Sequence, residues 1–344
     1  MIDLGGIGKN ISMKSRTVVC LDMGSSAVKL LEANVQGDKF FLTRIGFKKL
    51  QNPSRENLAD SVRSLIEESG IQTKEVSISV SGQPTIVRFV AMPKMREDEL
   101  KGAIKFEAEK HIPFAIEDCI VDYQILEKDA KDNKAQILLA AAKKAFVLER
   151  MSVAEECGLQ VNIIDLDPFA AANSFLKNLS AYDQARSAAI LNMGASLTNL
   201  SIVQGGLLRF SRDVAVGGGD FTAAVSKSLG IDAKASEELK AAPGHRSQEI
   251  INFTKNVMNS LIDELRLSFS YYENQSGKAV DEVYICGGAS AMAGLENAFN
   301  EAFESKPVLW NPLQFFDLSR LHDDAGLSGK MSRYFAVAAG LASR

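Results

Sequence analysis

Residues 22–30 read DMGSSAVKL, and residues 192–200 repeat the pattern as NMGASLTNL. Each copy follows a run of strand-forming residues and leads back into apolar, strand-like sequence. The copies therefore predict two β-hairpins whose tight turns consist of small residues. Such turns direct backbone N–H groups and hydroxyls at one concave surface, which suits a phosphate chain and a metal ion held by a carboxylate. Two turns that face each other would clamp a nucleotide by its phosphates.

The first copy also carries a carboxylate and a cation. Asp22 would hold Mg²⁺ mainly through water, and Lys29 would neutralise phosphate charge. Taken alone, either copy would be an ordinary tight turn, but the repetition favours nucleotide binding. The predicted phosphate-binding residues are Gly24, Ser25, Ser26 and Lys29 in the first copy and Asn192, Gly194, Ala195, Ser196 and Thr198 in the second.

Two glycine-rich segments each lie between a predicted strand and a predicted helix. The backbone N–H groups of the first would face an anion, although flexible turn sequence explains this segment too. In the second, a flat ring would lie against backbone that carries no side chain, and a close-packed strand–helix joint explains it equally well. The segments are Gly217, Gly218 and Gly219, followed by Asp220, and Gly287, Gly288 and Ala289.

Two further pairs of charged residues are candidates for the nucleotide site. Glu237 and Lys240 lie three residues apart on a predicted helix, so they share a face and would bracket a ribose or base; a solvated ion pair is an equal alternative. Asp165 and Asp167 follow a predicted strand near the expected cleft. Asp167 is our candidate catalytic residue, as a group that orients water, although a helix N-cap is an equally good role for it. Because there is no GxxxxGK[ST] loop, the site is not of the P-loop type.

Bulk composition indicates a globular cytoplasmic protein. The 344 residues are 46% hydrophobic and 24% charged, and the net charge of −4 gives no bulk signal for nucleic-acid binding. The four cysteines lie far apart, which indicates a reducing compartment rather than a disulfide scaffold or a metal site. No apolar run approaches the roughly 18 residues that cross a bilayer, and the N-terminus lacks a signal-peptide core. We therefore expect a membrane location only through a partner.

The chain is expected to contain two duplicated α/β domains. The first opens as β-β-β-α-β, and an α-β-β-α block at about 93–157 has the pattern of an inserted subdomain. A polar stretch at 180–186 marks the boundary, after which the second hairpin begins. The predicted divisions are an N-terminal tail at 1–16, a first domain at 17–186, a second domain at 187–344 and, within the second, a subdomain at about 224–278.

This order of two phosphate hairpins, a Glu/Lys helix and a Gly-Gly turn resembles the actin-like ATPase superfamily. The insert lies where the division protein FtsA carries its own, and within that group the sequence resembles the PilM family of type IV pilus assembly proteins. The resemblance covers nearly the whole chain. It rests on VRFVAMP at 87–93, EAEKHIPF at 107–114, DYQ at 122–124, LAAAKK at 139–144 and SRDVAVGGG at 211–219.

The resemblance implies a scaffold that binds ATP and Mg²⁺ and lies at the cytoplasmic face of the inner membrane. PilM proteins bind ATP between their domains and hold the N-terminal cytoplasmic segment of PilN, a single-span membrane protein, in a groove that involves the insert. Actin relatives usually carry an acidic residue where this chain has Asn192. Because an amide lacks the charge for a second cation contact, we expect ATP to act as a conformational ligand whose hydrolysis is slow or absent.

Two other functions fit the same fold. A small-molecule kinase of the sugar type would need an aspartate base beside the cleft, for which Asp220 is the obvious candidate. An FtsA-like filament-forming division protein is expected to carry an amphipathic, basic anchor, and no such segment accompanies residues 342–344. Self-association is a further open possibility, whereas a nucleic-acid partner is not expected.

Overall fold

The computed structural model describes residues 15–130, 133–178, 185–323 and 325–344. The strands are β1 (Arg16–Met23), β2 (Ala27–Gln36), β3 (Lys39–Lys49), β4 (Glu75–Val80), β5 (Thr85–Pro93), β6 (Cys119–Ala130), β7 (Lys134–Lys143), β8 (Gln160–Leu166), β9 (Ser187–Met193), β10 (Thr198–Gln204), β11 (Leu207–Val214), β12 (Glu282–Cys286), β13 (Val308–Leu309) and β14 (Phe316–Asp317). The helices are α1 (Arg55–Ser69), α2 (Glu97–His111), α3 (Lys144–Glu156), α4 (Asp167–Asn178), α5 (Gly218–Leu229), α6 (Ala233–Ala241), α7 (Ser247–Ser276), α8 (Leu295–Phe303), α9 (Leu327–Lys330) and α10 (Ala336–Leu341).

The strands form three sheets, and the two larger sheets share one pattern. The first has the order β14-β3-β2-β1-β4-β8, and the second has the order β11-β10-β9-β12-β13. In each sheet an antiparallel three-strand meander is joined along its first strand to a parallel strand, which is β4 in one and β12 in the other. This repetition confirms the predicted duplication of an α/β unit.

Both predicted hairpins are present in the structure. In the first, Asp22 pairs with Lys29 across β1 and β2, and the turn closes through a 3.1 Å hydrogen bond from Gly24 N to Ala27 O. In the second, the turn between β9 and β10 closes in the same way, from Gly194 N to Leu197 O at 2.9 Å. The last residues of β1 and nearly all of β9 are buried, as expected for central strands that are covered on both faces.

The insert contains a three-stranded sheet with the order β5-β7-β6. The sequence pattern predicts that β5 belongs to the first domain and α3 to the insert. In the structure β5 belongs to the insert sheet, whereas α3 packs on the first sheet. β5 pairs with β7 along its whole length because the edges of β4 are already taken by β1 and β8. Helix α3 packs on the first sheet because Val153 and Ala154 are buried in the core that contains Leu21 and Ile78.

Helices α4 and α10 lie between the two larger sheets. Phe169 of α4 packs in one core with Ile190 of the second sheet, whereas Ala338 of α10 packs in another core with Cys20 of the first. The helices approach each other closely at Gly340, where a Cβ would lie only 1.7 Å from Ala170 O. Only glycine permits this contact, so the backbone of α10 lies directly against α4.

Two sequence-based predictions fall largely or partly outside the described residues. The predicted N-terminal tail spans 1–16, of which the structure describes only 15 and 16, and the predicted domain boundary at 180–186 includes undescribed residues 180–184. Within the part of the chain that is described, none of the helices combines the length and the apolar character needed to cross a bilayer.

Candidate functional site

The two hairpin turns face each other across a cleft between the larger sheets. The Ser196 hydroxyl donates a 2.5 Å hydrogen bond to the Ser25 hydroxyl, so the turns are in direct contact. Behind this contact lies a cavity of about 200 Å³. Its lining includes Asp22, Gly24, Ser25, Ser26 and Lys29 from the first turn, Asn192, Gly194, Ala195 and Ser196 from the second, and Asp167, Gly287 and Gly288 among the other predicted site residues.

Asp22 and Lys29 form an ion pair at the base of the first turn. They are partners in the hairpin register, and Asp22 Oδ2 lies 3.1 Å from Lys29 Nζ. Burial raises the pKa of the Asp22 carboxyl, and the ammonium of Lys29 opposes this shift. The cation of the first turn is therefore held by its own carboxylate in this arrangement.

Asp167 begins α4 and lines the same cavity. Its Oδ2 accepts a 2.6 Å hydrogen bond from the Ser81 hydroxyl. Burial is the main cause that raises the pKa values of Asp22, Asp165 and Asp213, and the nearby charge of Asp167 raises all three further. Of these carboxyl groups, Asp22 and Asp167 line the cavity, where they would stabilise a divalent cation.

A row of polar side chains supports the second turn. Asn192 Nδ2 donates to Asn199 Oδ1 at 3.2 Å, and Asn199 Nδ2 donates to Asp213 Oδ1 at 2.6 Å. Asp213 Oδ2 accepts a 3.1 Å hydrogen bond from Gly82 N, which lies in the loop after β4. Because Gly82 follows a strand of the first sheet and the other three residues belong to the second, this row links the two halves of the chain.

The triple-glycine segment does not line the cleft, and its N–H groups already have partners. Gly218 N and Gly219 N each donate at 2.8 Å to the second turn, to Gly194 O and Ala195 O. Gly217 N donates at 2.8 Å to the Asp220 carboxylate. The segment therefore holds the start of α5 against the second turn. Close packing requires its first glycine, because a Cβ there would lie 2.5 Å from Ala195 O.

Glu237 and Lys240 also lie behind the second turn rather than in the cavity lining. Lys240 is buried, and its Nζ donates to Gly218 O at 2.9 Å and to Thr222 Oγ1 at 2.8 Å. The same ammonium lies 2.7 Å from Glu237 Oε2. These contacts attach α6 to α5. Thr198 is likewise buried, with its hydroxyl bonded to Val216 O at 2.8 Å.

An aromatic ring does lie against the Gly-Gly turn, and it belongs to Tyr334. A Cβ on Gly288 would be 2.9 Å from Tyr334 Cε1, and Gly287 adopts a φ of 88° that few other residues tolerate. Phe47 packs edge-on against the tyrosine with ring centroids 5.4 Å apart. Ala289 is buried in the core of the second domain and does not line the cavity.

Sequence reasoning missed several residues that line the cleft. Ser79 and Ser81 alternate along the end of β4, a period-two pattern that could have been recognised. The Ser79 hydroxyl is buried with no hydrogen-bond partner among the described residues, so it is available to a ligand or water. Arg150, which lies on α3 and lines the cleft, had no local sequence signal.

The sequence matches the family model for the type IV pilus assembly protein PilM over residues 20–344. The chain belongs to the PilM family. A chain of the solved PilM–PilN type IV pilus biogenesis complex is 25% identical to it. That alignment covers 94% of this chain and 97% of the other, with a TM-score of 0.84.

Two more distant structures share the fold of this PilM-family chain. Ethanolamine utilization protein EutJ from Carboxydothermus hydrogenoformans is 12% identical, with 95% of this chain and 89% of that one covered and a TM-score of 0.58. MreB5 of Spiroplasma citri bound to AMPPNP is 13% identical, with 95% of each chain covered and a TM-score of 0.50. These matches confirm the predicted actin-like α/β fold.

The carboxyl groups in the cleft of the PilM-family chain are of the kind that hold a metal ion together with phosphates. Among the described residues, no group of three or more His, Cys, Asp or Glu side chains is arranged to hold a metal ion by itself. Mg²⁺ at nucleotide sites needs only one or two carboxylates, because water and phosphates complete its coordination. Asp22 and Asp167 meet this requirement, and the unpartnered Ser79 hydroxyl adds a polar contact.

A second cavity of the PilM-family chain, of about 420 Å³, lies between the insert and the bridging helix α4. We call it the insert groove. Its lining is mainly apolar and includes two cations, Lys177 and Arg344. Arg344 Nε donates at 2.6 Å to Asp165 Oδ2, and Asp165 lies two residues before Asp167, which lines the cleft between the hairpin turns. The lining residues are Gln124, Leu126, Leu138, Phe169, Ala172, Asn173, Leu176, Lys177, Gly206, Leu207, Leu208, Ser343 and Arg344.

The kinase alternative is not favoured. Its candidate base, Asp220, caps the start of α5 through Gly217 N and does not line the cleft. The family match and the PilM–PilN likeness also favour pilus assembly over a filament-forming division protein.

Proposed function

We propose that this chain is an ATP-binding scaffold of type IV pilus assembly. It binds the N-terminal cytoplasmic segment of a PilN-like inner-membrane protein, and the nucleotide state of the cleft controls that binding. The observation that carries the proposal is the near-complete match to a chain of the PilM–PilN complex. Attachment to such a partner would keep the chain at the cytoplasmic face of the inner membrane.

The phosphates of ATP would lie between the two hairpin turns. Ser25 and Ser196 offer hydroxyls and backbone N–H groups, and Lys29 offers a positive charge. A cavity of about 200 Å³ is smaller than the 300–1,000 Å³ typical of small-molecule sites, so the turns must separate to admit the nucleotide. This separation breaks the contact between Ser25 and Ser196. Domain movement is thereby linked to nucleotide binding.

Mg²⁺ would neutralise phosphate charge in this site. Asp22 would hold the ion through water, and Asp167, which Ser81 keeps in place, would orient water beside the terminal phosphate. Asn192 contributes no charge, and its amide donates to Asn199. The site therefore favours bound ATP over rapid turnover, so we expect an ATPase that is slow at most.

The insert groove is the proposed partner site. An extended apolar segment would bury its side chains against Leu138, Phe169 and Leu176, as peptides do in other hydrophobic grooves. The groove is lined by the insert, by α4 and by the turn between β10 and β11, so a relative movement of these parts changes its width. The Arg344–Asp165 ion pair connects the groove to the end of β8, two residues before Asp167 of the cleft lining.

The proposal is tested with purified protein, ATP and a panel of N-terminal peptides from inner-membrane pilus proteins. We expect one peptide of the PilN type to bind, with an affinity that changes when ATP and Mg²⁺ are added. Leu207→Asp in the groove should abolish peptide binding, whereas Leu267→Asp on the exposed face of α7 should not. Sugar-stimulated ATP turnover without peptide binding would refute the scaffold function and support a kinase.

Nucleotide control is tested separately. Lys29→Ala should weaken ATP binding and remove its effect on the peptide, whereas Lys48→Ala, at an exposed ion pair with Glu68, should change neither. Peptide binding that responds to ATP undiminished in Lys29→Ala would leave the scaffold but exclude control through this cleft.

A further inference from the structure

We propose that Arg150 binds the terminal phosphate of the nucleotide and transmits its presence to the insert groove. This inference rests on the proposed nucleotide site and assigns to the cleft a cation that the two hairpin motifs do not contain. Arg150 lies on α3, outside both hairpins, and its side chain lines the cavity beside the phosphate turns.

Arg150 is the cation of the cleft lining that has no carboxylate partner among the described residues. The cavity lining contains two positively charged side chains, Lys29 and Arg150. Lys29 is held 3.1 Å from Asp22, whereas the guanidinium of Arg150 makes no hydrogen bond or ion pair with any residue that the structure describes. A partly exposed guanidinium is hydrated until a ligand replaces the water, and a phosphate accepts two parallel hydrogen bonds from it.

The position of Arg150 is set by an aromatic ring. Its guanidinium carbon lies 5.3 Å from the ring centroid of Phe146, one helical turn earlier on α3, and Phe146 also lines the cavity. A cation over an aromatic face is held electrostatically while its donors stay free. This arrangement orients the guanidinium before a ligand arrives.

The packing of α3 places Arg150 at the metal end of the phosphate chain. Val153, one helical turn after Arg150, packs in one core with Leu21, which directly precedes Asp22, the residue that would hold Mg²⁺. The predicted base position lies instead at Gly287 and Gly288, at the end of β12 in the other half of the chain. A cation close to Asp22 therefore meets the terminal phosphate, the group that distinguishes ATP from ADP.

A continuous segment connects Arg150 to the insert groove. Helix α3 begins at Lys144, directly after β7 ends at Lys143, with no loop between them. β7 is the central strand of the insert sheet, and its Leu138 lines the groove. Leu138 also belongs to the core cluster against which Phe146 packs. A movement of α3 toward a bound phosphate therefore shifts the wall of the groove.

The test compares equilibrium affinities for ATP and ADP, with Mg²⁺, in the full chain. In Arg150→Ala we expect ATP to bind about 10- to 100-fold more weakly and ADP to change less than about threefold, because one charge-assisted contact to the terminal phosphate is lost. Arg150→Lys should recover part of the ATP affinity without the bidentate geometry. Arg63→Ala, on the exposed face of α1, is the matched control and should bind both nucleotides normally.

Equal losses for ATP and ADP, or no loss for ATP, would overturn the assignment of Arg150. An unmodified chain that binds neither nucleotide would instead refute the proposed function, so the two failures are distinguishable. Coupling is read from the PilN-type peptide. Arg150→Ala should keep the peptide affinity measured without nucleotide and lose the change that ATP causes. If Arg150→Ala binds ATP weakly but saturating ATP still changes its peptide affinity by the normal amount, the connection through α3 is refuted.

Discussion

Replacement of Gly340 by alanine should separate the two bridging helices and destabilise the whole chain. The added Cβ would lie 1.7 Å from the Ala170 carbonyl oxygen and 2.3 Å from its carbon. Both atoms belong to the backbone of α4, so no side chain can rotate away. The helices must move apart, and they carry Asp167 at the start of α4 and Val337 in the cleft lining.

The expected cost of Gly340→Ala is at least the upper part of the overpacking range, about 3 kcal/mol. An unfolding entropy of about 2.1 cal/mol/K per residue predicts a shift of about 1.4 °C per kcal/mol for a chain of this length, hence a fall of about 4 °C or more in the melting temperature. Differential scanning calorimetry measures this shift.

Gly102→Ala is the matched control. Gly102 lies within α2, and a Cβ there would meet no atom within 4 Å. Alanine is favoured over glycine inside a helix by about 0.5–1 kcal/mol, so this variant should melt about 1 °C higher. A Gly340→Ala protein that melts like the control and keeps its nucleotide and peptide affinities would refute the close contact between α4 and α10.

Three further predictions concern residues around the second turn. Burial raises the pKa of Asp213 above its ordinary 3.8, so the stability that its protonated form contributes is complete below pH 3.8 and is lost as the pH rises through the raised pKa. Asp213→Asn removes this titration, so melting temperatures measured between pH 4 and 8 should depend less on pH in that variant. Asp220→Ala should leave ATP affinity unchanged and lower stability by about 1 kcal/mol in urea unfolding, since the residue caps α5; a loss of phosphoryl transfer to an added sugar would instead revive the kinase interpretation. Lys240→Met should cost about 1–3 kcal/mol because the Gly218 carbonyl and Glu237 lose their donor, whereas Lys234→Met, exposed on the same helix, should be neutral in the same unfolding assay.

Local sequence patterns were sufficient to predict the elements whose backbone hydrogen bonds form within the element itself. The small-residue turns predict both hairpins, and both are present. Asp22 and Lys29 were also predictable as neighbours, because a tight turn fixes the hairpin register and places them opposite each other.

Long-range packing was not visible in the sequence. The glycines at 217–219 have the composition of an anion-binding loop, and their composition does not reveal that Gly194 O and Ala195 O accept two of their N–H groups. Similarly, β5 has the alternation of any half-buried strand, so its partner depends on which sheet has a free edge. Arg150 reaches the cleft only because α3 leaves the insert and packs on the first sheet.

The central claim, that the phosphates of ATP bind between the two hairpin turns, is tested most directly by joining the turns. Ser25 and Ser196 are in hydrogen-bond contact, so the double variant Ser25→Cys/Ser196→Cys should form a disulfide under oxidising conditions. We predict that the oxidised protein does not bind ATP, that reduction restores binding, and that each single variant binds ATP under both conditions. ATP affinity that is the same in the oxidised and reduced double variant would contradict the account.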